Sequence, residues 1–213
     1  MVILICGEKG GTGKTTLAVN LAAYRQGAGR SVLIIDTDPQ RSASDWCYFR
    51  KQAGLPPIDC AQLRAGAMMA AVPGYATRYQ DVIIDAGGRD NPEMRAGLVL
   101  ADLVLLPVRA SQYDLASVDK MRALLDQVRP ANARIRCLVV INSVKNNPRI
   151  PEFSEALQTI QQYDDIEVHT APIYDRMSYA RSGAEGRGVH EMADTKAAAE
   201  ISTLNEKINN VKI

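Results

Sequence analysis

The chain has 213 residues, and 25 Lys and Arg against 24 Asp and Glu give a formal net charge of +1 at pH 7. This balance excludes both a protein that coats nucleic acid by bulk positive charge and one with an acidic tail, but it leaves room for a local basic patch. The hydrophobic share of 46% and the charged share of 23% are those of a globular protein. Aromatic residues make up only 5%, so we expect a core of Ala, Val, Ile and Leu.

The four cysteines are widely spaced and form no C-x-x-C pair, which argues against a disulfide framework and against a zinc site. The first apolar run stops at Gly7 after five residues, and no run reaches the roughly 18 apolar residues of a membrane span. We therefore expect a cytoplasmic protein without a signal peptide or a transmembrane helix.

Short apolar runs alternate with longer helical patterns along the whole chain. Strands are predicted over residues 2–6, 32–35, 82–84, 103–108 and 135–141, with a weaker candidate over 167–170. Helices are predicted over residues 14–26, 42–53, 92–101, 115–128, 151–163 and 195–211. The five stronger strand runs are apolar on both faces, as in a parallel sheet covered by helices on both sides. The alternation predicts an α/β fold, a doubly wound and mostly parallel sheet, in one domain over residues 1–213.

The segment after the first predicted strand is typical of a phosphate-binding loop. It reads G-E-K-G-G-T-G-K-T-T over residues 7–16 and leads directly into the first predicted helix. In such a loop, backbone N–H groups close around phosphate oxygens and the helix amino end adds its positive dipole. The lysine reaches the β- and γ-phosphates, and the next hydroxyl ligates Mg²⁺. The nucleotide-binding residues predicted here are Gly10, Gly11, Thr12, Gly13, Lys14, Thr15 and Thr16.

Two positions depart from the common G-x-x-x-x-G-K-[ST] pattern, because Glu8 replaces its first glycine and Lys9 adds a second lysine. The resulting K-G-G-T-G-K-T-T resembles the deviant Walker A motif of the ParA/MinD family of ATPases. In that family the extra lysine reaches the nucleotide of the other subunit. The resemblance implies an ATP-bound homodimer in which Lys9 contacts the partner's nucleotide; the alternative is a solvated loop lysine. Relatives usually carry Asn or Gln at Glu8, so we expect this carboxylate to point away from phosphate or to pair with a lysine.

Two carboxylates follow the second predicted strand. Asp36 and Asp38 are two residues apart, so in extended chain their side chains point the same way. The segment D-T-D-P-Q over residues 36–40 resembles a motif of the same family. The resemblance implies that Asp36 lies beside the Mg²⁺ shell and that Asp38 orients the attacking water. The alternative is an ordinary acidic exit from a strand.

The run D-V-I-I-D over residues 81–85 has the Walker B form, an apolar strand that ends in aspartate. Beside a phosphate-binding loop, Asp85 is predicted to hold Mg²⁺ through water. The small residues Ala86, Gly87 and Gly88 follow, and we interpret them as a switch loop that senses the γ-phosphate. The metal residues predicted in all are Thr15, Asp36 and Asp85, and the catalytic ones are Lys9, Lys14 and Asp38.

Two later segments fit the same resemblance. Residues 105–114 are similar to the family segment that begins the helix at the dimer interface, with Ala110 in place of a proline. Asn142 follows the fifth predicted strand, where relatives place an adenine contact. An asparagine that caps a turn is the alternative.

Residues 176–191 are similar to a family segment whose arginines bind DNA in many relatives. By this resemblance Arg176, Arg181 and Arg187 would contact DNA phosphates, which gives affinity without base readout. Asp175 and Glu185 dilute the positive charge, and an ordinary solvated helix is the alternative.

The last predicted helix carries a narrow apolar stripe and few basic residues, so we expect it to pack on the core and not on a membrane. The stripe consists of Ile201, Leu204, Ile208 and Val211. The chain starts one residue before its first predicted strand, so we expect no N-terminal helix-turn-helix domain. In this it resembles the short plasmid-type ParA proteins of the ParF-like group.

The leading interpretation is therefore an ATPase that dimerises with ATP and Mg²⁺, binds DNA non-specifically on the nucleoid, and positions a cargo with a ParB-like adaptor. A MinD-like membrane-positioning ATPase is the first alternative. A metal-cluster carrier would need paired interface cysteines, but only Cys137 follows Asp85. A small-molecule kinase or ligase with a phosphate-binding loop is the last alternative. The sequence does not name the cargo.

Overall fold

The apolar runs of the sequence form one sheet in the computed structural model, which describes residues 1–145 and 151–210, without the side chains of residues 112–115. The strands of this sheet are β1 Val2–Gly7, β2 Val32–Asp36, β3 Asp59–Gln62, β4 Asp81–Gly88, β5 Leu103–Val108, β6 Arg136–Ile141 and β7 Glu167–Val168. The helices are α1 Lys14–Gly27, α2 Ser42–Gln52, α3 Ala65–Ala76, α4 Pro92–Leu100, α5 Gln112–Val128, α6 Glu152–Ile160, α7 Met177–Glu185 and α8 Thr195–Asn210, with a single 3₁₀ turn at Val189–Glu191.

The strands pair in the order β3-β2-β4-β1-β5-β6-β7, and every pair is parallel. This confirms the predicted doubly wound α/β fold. β1 lies in the middle between β4 and β5, and β2 pairs with the other side of β4. Asp85 is the register partner of Ile5 on one side and of Asp36 on the other. The loops that leave β1, β2 and β4 therefore meet at one edge of the sheet.

Alternate residues of each central strand pack into separate apolar layers, because successive side chains of a strand point to opposite faces. Leu4 and Cys6 of β1 pack in the layer covered by α3, α4, α5 and α6. Ile3 and Ile5 pack in the layer covered by α1, α2, α7 and α8. Burial of such a side chain contributes about 1.5–3 kcal/mol, so the two layers together hold the sheet edge in place.

The predicted strands and helices are all present, with small differences at their ends. α5 begins at Gln112 and not at residue 115, and α6 ends at Ile160. Residue 211, included in the last predicted helix, lies outside the described residues.

Three further elements, β3, α3 and α7, were not among the predicted elements. β3 is a half-exposed edge strand of sequence D-C-A-Q, which has no apolar run to mark it. α3 contains Gly66, Pro73 and Gly74, which sequence reasoning takes as helix breakers. Tertiary packing of Met68 and Val72 against the sheet overrides these local preferences.

The four cysteines are free thiols, two buried and two half-buried. Among the described residues, the helices are too short or too polar to span a bilayer.

Candidate nucleotide-binding site

The loops at the carboxyl edge of the sheet enclose a cleft of about 650 Å³. Its lining includes Gly10, Gly11, Gly13, Lys14, Thr15, Thr16, Asp38, Gly87, Gly88 and Arg89. A second cavity of about 280 Å³ adjoins it through shared loop residues and is lined by Asn142, Ser143, Tyr174, Asp175, Arg176 and Tyr179. A charged cleft at a helix amino end that continues into a smaller cavity suits a nucleotide, with phosphates in the first and the base in the second.

The loop between β1 and α1 needs glycine at two positions. Gly11 and Gly13 have φ angles of 72° and 88°, a region that other residues enter at a cost. A Cβ on Gly13 would lie 2.2 Å from Nδ2 of Asn142. Among the described residues, no side chain caps the amino end of α1. Its first N–H groups are therefore available to an anion.

Lys14 is buried at the base of this loop, and its Nζ donates a hydrogen bond of 2.7 Å to the carbonyl oxygen of Lys9. Burial lowers the pKa of Lys14, and the nearby Asp85 and Asp38 partly offset this effect. The ammonium group is thus positioned inside the loop before any phosphate is bound.

Thr15 and Asp85, two of the predicted metal residues, are in direct contact. The Thr15 hydroxyl donates a 2.7 Å hydrogen bond to Oδ2 of Asp85. Asp85 is 1% exposed, and its Oδ1 is buried without a partner among the described residues. Burial raises the pKa of Asp85 to about 7, although the Thr15 hydroxyl lowers it. A buried carboxylate with an unsatisfied oxygen beside a hydroxyl fits an Mg²⁺ ion held partly through water.

Asp36 and Asp38 both line a cavity of about 230 Å³, but only Asp38 also lines the large cleft. Asp38 lines the large cleft, and its Oδ1 accepts a hydrogen bond of 2.8 Å from the Gln40 N–H. Oδ2 of Asp36 accepts from the N–H and the hydroxyl of Ser44 at 2.8 and 2.7 Å. The strand ends at Asp36, so the alternation of side chains ends there too. The Asp36 carboxylate holds the start of α2, and its place beside the Mg²⁺ shell stays a prediction.

Gly87 and Gly88 pack tightly against the rest of the site. A Cβ on Gly87 would lie 3.2 Å from Oδ2 of Asp38. A Cβ on Gly88 would lie 3.2 Å from the backbone nitrogen of Gly10. The two glycines therefore permit close approach between the end of β4, the phosphate-binding loop and Asp38.

Glu8 pairs with a lysine, as expected. Its Oε2 accepts a 2.6 Å hydrogen bond from Nζ of Lys120 on α5. Lys120 is 62% exposed and Glu8 is 28% exposed, so the pair contributes at most about 1 kcal/mol, but it neutralises a carboxylate at the rim of the cleft. Arg109, at the end of β5, donates to the carbonyl oxygen of Gly11 at 2.5 Å.

Asn142 connects β6 to the phosphate-binding loop, since its Nδ2 donates a 2.7 Å hydrogen bond to the carbonyl oxygen of Thr12. Asn142 also lines the small cavity, where an adenine contact was predicted. The brace on Thr12 is a role that the sequence pattern did not indicate.

Glu200 of α8 holds one wall of the small cavity, and sequence reasoning missed it. Its Oε1 accepts from Nε of Arg176 at 2.8 Å, and its Oε2 accepts from the Tyr179 hydroxyl at 2.9 Å. The Arg176 guanidinium also lies over the Tyr174 ring, 5.1 Å from its centroid. Burial, and then the charge of Glu200, raise the pKa of Tyr179.

The three arginines predicted to bind DNA lie in different surroundings. The side chain of Arg176 is 20% exposed and paired with Glu200, so it belongs to the wall of the small cavity. Arg181 is exposed on α7. Arg187 is 39% exposed and lies 3.4 Å from the carboxylate of Glu185.

A parallel sheet with a glycine loop between its central strand and α1, and with Asp85 near the end of the adjacent strand, defines an α/β nucleotide-binding protein of the P-loop NTPase type. Residues 3–189 match the sequence model of the CobQ/CobB/MinD/ParA nucleotide binding domain, and the chain belongs to this family. The ParA/MinD-type ATPases of this family take part in partition or positioning.

Two relatives are about one third identical to the chain over the aligned residues. It is 32% identical over 167 residues to the chromosome-partitioning ATPase Soj of Thermus thermophilus. This alignment covers 65% of the present chain and 67% of Soj. It is also 32% identical over 193 residues to the maintenance of carboxysome distribution protein A (McdA) of Gloeobacter kilaueensis. This alignment covers 88% of the present chain and 83% of that McdA. The fold is similar to the solved ATP complex of Cyanothece McdA, with a TM-score of 0.81, 16% identity and coverage of 100% and 97%.

Proposed function

We propose that this chain is a ParA-type ATPase that binds ATP and Mg²⁺ in the cleft, dimerises around the nucleotide, binds DNA without sequence preference, and partitions or positions a cargo with a ParB-like adaptor. The observation that carries the proposal is the buried Asp85 carboxylate, with one oxygen bonded to Thr15 and the other unpartnered. The similarity to Soj and to McdA supports the partition or positioning role.

Different residues of the cleft would have different roles in phosphoryl transfer to water. Lys14 and the N–H groups at the start of α1 would bind the phosphates, while Thr15, Asp85 and the outer-shell Asp36 would hold Mg²⁺. The metal would neutralise charge that develops on the phosphate oxygens. Asp38 would orient the attacking water, and an adaptor that accelerates this step would reset the protein to its ADP form.

ATP binding is tested by Lys14→Ala, which removes the cation inside the phosphate-binding loop. We expect calorimetry with Mg²⁺ to show that most ATP affinity is lost, whereas Lys196→Ala, an exposed lysine on α8, leaves it unchanged. Unchanged affinity in Lys14→Ala contradicts the assignment of the cleft.

Dimerisation is tested by Lys9→Ala and Asp38→Ala, measured by light scattering with ATP and Mg²⁺. We expect Lys9→Ala to bind nucleotide yet stay monomeric, because the partner's nucleotide loses its contact with the lysine. Asp38→Ala should dimerise and persist, because the water is no longer oriented for hydrolysis. A Lys9→Ala variant that dimerises like the wild type contradicts a dimer built across the nucleotide.

DNA binding rests on Arg181 and Arg187, since Arg176 is paired inside the small cavity. Two arginines per subunit make few phosphate contacts, so we expect binding only by the ATP-bound dimer, which doubles them. Each contact contributes about −0.9 to the slope of log affinity against log salt concentration, so binding should fall steeply between roughly 50 and 200 mM salt.

A gel shift on random duplex DNA tests this, with ATP, ADP or no nucleotide. Arg181→Glu should abolish the shift, and Arg78→Glu, an exposed arginine beyond α3, should not. Equal binding in all three nucleotide states, or none in any, contradicts the DNA-binding proposal.

The membrane-positioning alternative is not favoured, because the apolar stripe of α8 is buried. Ile201, Leu204 and Ile208 are each 0% exposed and pack on the core. Co-sedimentation with anionic liposomes in the presence of ATP would support a membrane-positioning function.

A further inference from the structure

The loop after β4 contains a non-glycine residue in a conformation that favours glycine. Arg89 has a φ of 104°, follows directly after Gly88, and lines the nucleotide cleft. Such a backbone costs free energy and persists only where the surroundings enforce it, as they do at functional sites. An arginine on a relaxed loop would not adopt this φ angle, so the backbone conformation of Arg89 requires an explanation.

The residues on both sides of Arg89 are fixed by contacts of their own. Gly88 packs against the backbone at Gly10, where a Cβ would lie only 3.2 Å from the backbone nitrogen. On the other side, Asn91 caps α4 by accepting a 2.7 Å hydrogen bond from the Met94 N–H. Asp90 is paired with Arg95. The strain at Arg89 is therefore the consequence of anchoring the loop both to the phosphate-binding loop and to α4.

The guanidinium of Arg89 makes no hydrogen bond or ion pair within the described ranges, in contrast to two other arginines, Arg109 and Arg64. Arg109, at the same rim, donates to Gly11, and Arg64 donates to the Thr37 carbonyl at 3.2 Å. A cation held without a partner at the edge of a cleft built for phosphate is suited to an anionic ligand.

The position of Arg89 in the cleft indicates which phosphate group of a bound nucleotide it would contact. It lines the large cleft together with Asp38 and Lys14, but it does not line the small cavity next to Asn142 that suits the base. A nucleotide with its base in the small cavity extends its phosphates into the large cleft. Because Arg89 lines only the large cleft, we infer that it meets the phosphates farthest from the base, where a triphosphate has one group more than a diphosphate.

We propose that Arg89 donates hydrogen bonds to the terminal phosphate of the bound triphosphate and so distinguishes ATP from ADP. The strained backbone holds the guanidinium ready, and contact with a γ-phosphate would be passed to the loop through Gly88 and to α4 through Asn91. The same guanidinium would stabilise charge on the phosphate oxygens during hydrolysis. This inference rests on the proposed function, since it assigns a further residue of the same cleft.

The test uses Arg89→Gly, which removes the guanidinium but accepts the positive φ, together with Arg89→Lys, which keeps a positive charge. Arg41→Gly is a matched control, because Arg41 is also an exposed arginine with a positive φ, of 59°, but it lines a neighbouring cavity of about 230 Å³ and not the nucleotide cleft. Affinities for ATP and for ADP are measured by calorimetry with Mg²⁺ on the full chain, and melting temperatures are measured without nucleotide.

For Arg89→Gly we expect ATP affinity to fall about tenfold or more, as for the loss of a hydrogen bond to a charged group, while ADP affinity stays within about twofold. Arg89→Lys should recover part of the loss, and Arg41→Gly should bind both nucleotides as the wild type does. The melting temperature of Arg89→Gly should not fall, because glycine relieves the strain. A ratio of ATP to ADP affinity equal to that of the wild type overturns the inference, whether both affinities stay the same or fall together.

Failure of this inference is distinguishable from failure of the proposed function. If the wild type binds neither nucleotide, or if Lys14→Ala binds ATP normally, the nucleotide site itself is wrong. If the wild type binds ATP and Lys14→Ala does not, an unchanged ratio in Arg89→Gly refutes the role of Arg89 alone.

Discussion

Glu200 accepts hydrogen bonds from three different residues that line the small cavity. Besides Arg176 and Tyr179, its carboxylate accepts from the Tyr174 N–H at 3.3 Å. Both side chains of the ion pair are mostly buried, with exposures of 10% for Glu200 and 20% for Arg176. Loss of one charge from such a pair costs roughly 1–3 kcal/mol.

We predict that Glu200→Gln raises the KM for ATP several-fold and changes kcat by less than about twofold. The amide keeps the shape of the side chain but leaves Arg176 without a counter-charge, and the phosphate end of the cleft is untouched. Steady-state hydrolysis assays measure the two constants, with Glu206→Gln, an exposed position on the same helix, as the control. A fall in kcat at an unchanged KM would contradict a role in positioning the cavity wall.

The residues that could be predicted from the sequence are those that belong to a short sequence motif. Lys14, Thr15 and Asp85 each follow an apolar strand at a fixed spacing, so the pattern predicted them and the structure brings them together. Glu200 has no such pattern, because its partners lie 21 to 26 residues away in the chain. The turn of Asp36 towards Ser44 was also beyond the pattern, since it depends on where the strand ends.

At the scale of elements, Arg50 joins α2 to the segment that follows α7. It is 1% exposed, and its two terminal nitrogens donate to the two carboxylate oxygens of Glu191 at 2.8 Å each. Its Nε donates to the Pro56 carbonyl at 2.7 Å, and its guanidinium lies 5.4 Å from the centroid of the Trp46 ring. α2 begins close to Asp38, so Arg50 connects the nucleotide loops to the arginines proposed to bind DNA.

We predict that Arg50→Met lowers the free energy of unfolding by about 3–5 kcal/mol, since it leaves the Glu191 carboxylate without its counter-charge. Equilibrium unfolding in urea, followed by circular dichroism, gives this value. Lys51→Met changes the next residue, which is exposed, and should alter it by less than about 0.5 kcal/mol. A loss below about 1 kcal/mol for Arg50→Met would show that the link is not needed for stability.

The elements that sequence reasoning found are those with a periodic apolar pattern, and the ones it missed lack it. β5 and β6 are apolar along almost their whole length, as expected for central parallel strands. β3 and α3 are held by contacts with β2 and α4 that local propensity does not report. β3 and α3 depend on tertiary contacts, which the pattern of a single sequence does not show.

For the molecule as a whole, His169 makes stability depend on pH. It is buried just after β7, and burial, with a smaller effect of Lys207, lowers its pKa to about 4. Its pKa in the unfolded chain is about 6.5. The unfolded chain therefore binds more protons between these values, and stability that is complete above pH 6.5 is lost as pH falls towards 4.

We predict that the wild type loses roughly 2 kcal/mol relative to His169→Leu when both are taken from pH 7 to pH 5. The comparison between the two proteins cancels the other titrating groups. Nε2 of His169 has no partner among the described residues, so leucine removes no hydrogen bond at that atom. Urea unfolding at the two pH values measures the difference, and equal pH dependence in both proteins would contradict the prediction.

The bond from Asn142 to Thr12 joins residues 130 positions apart. During synthesis the loop over residues 7–16 therefore emerges long before β6, and a growing chain carries the loop without its brace. We therefore expect nucleotide to bind the completed fold and not to stabilise its early intermediates. A ribosome-bound chain that stops before residue 142 should be digested by protease equally fast with and without ATP, whereas the finished chain should gain protection from it.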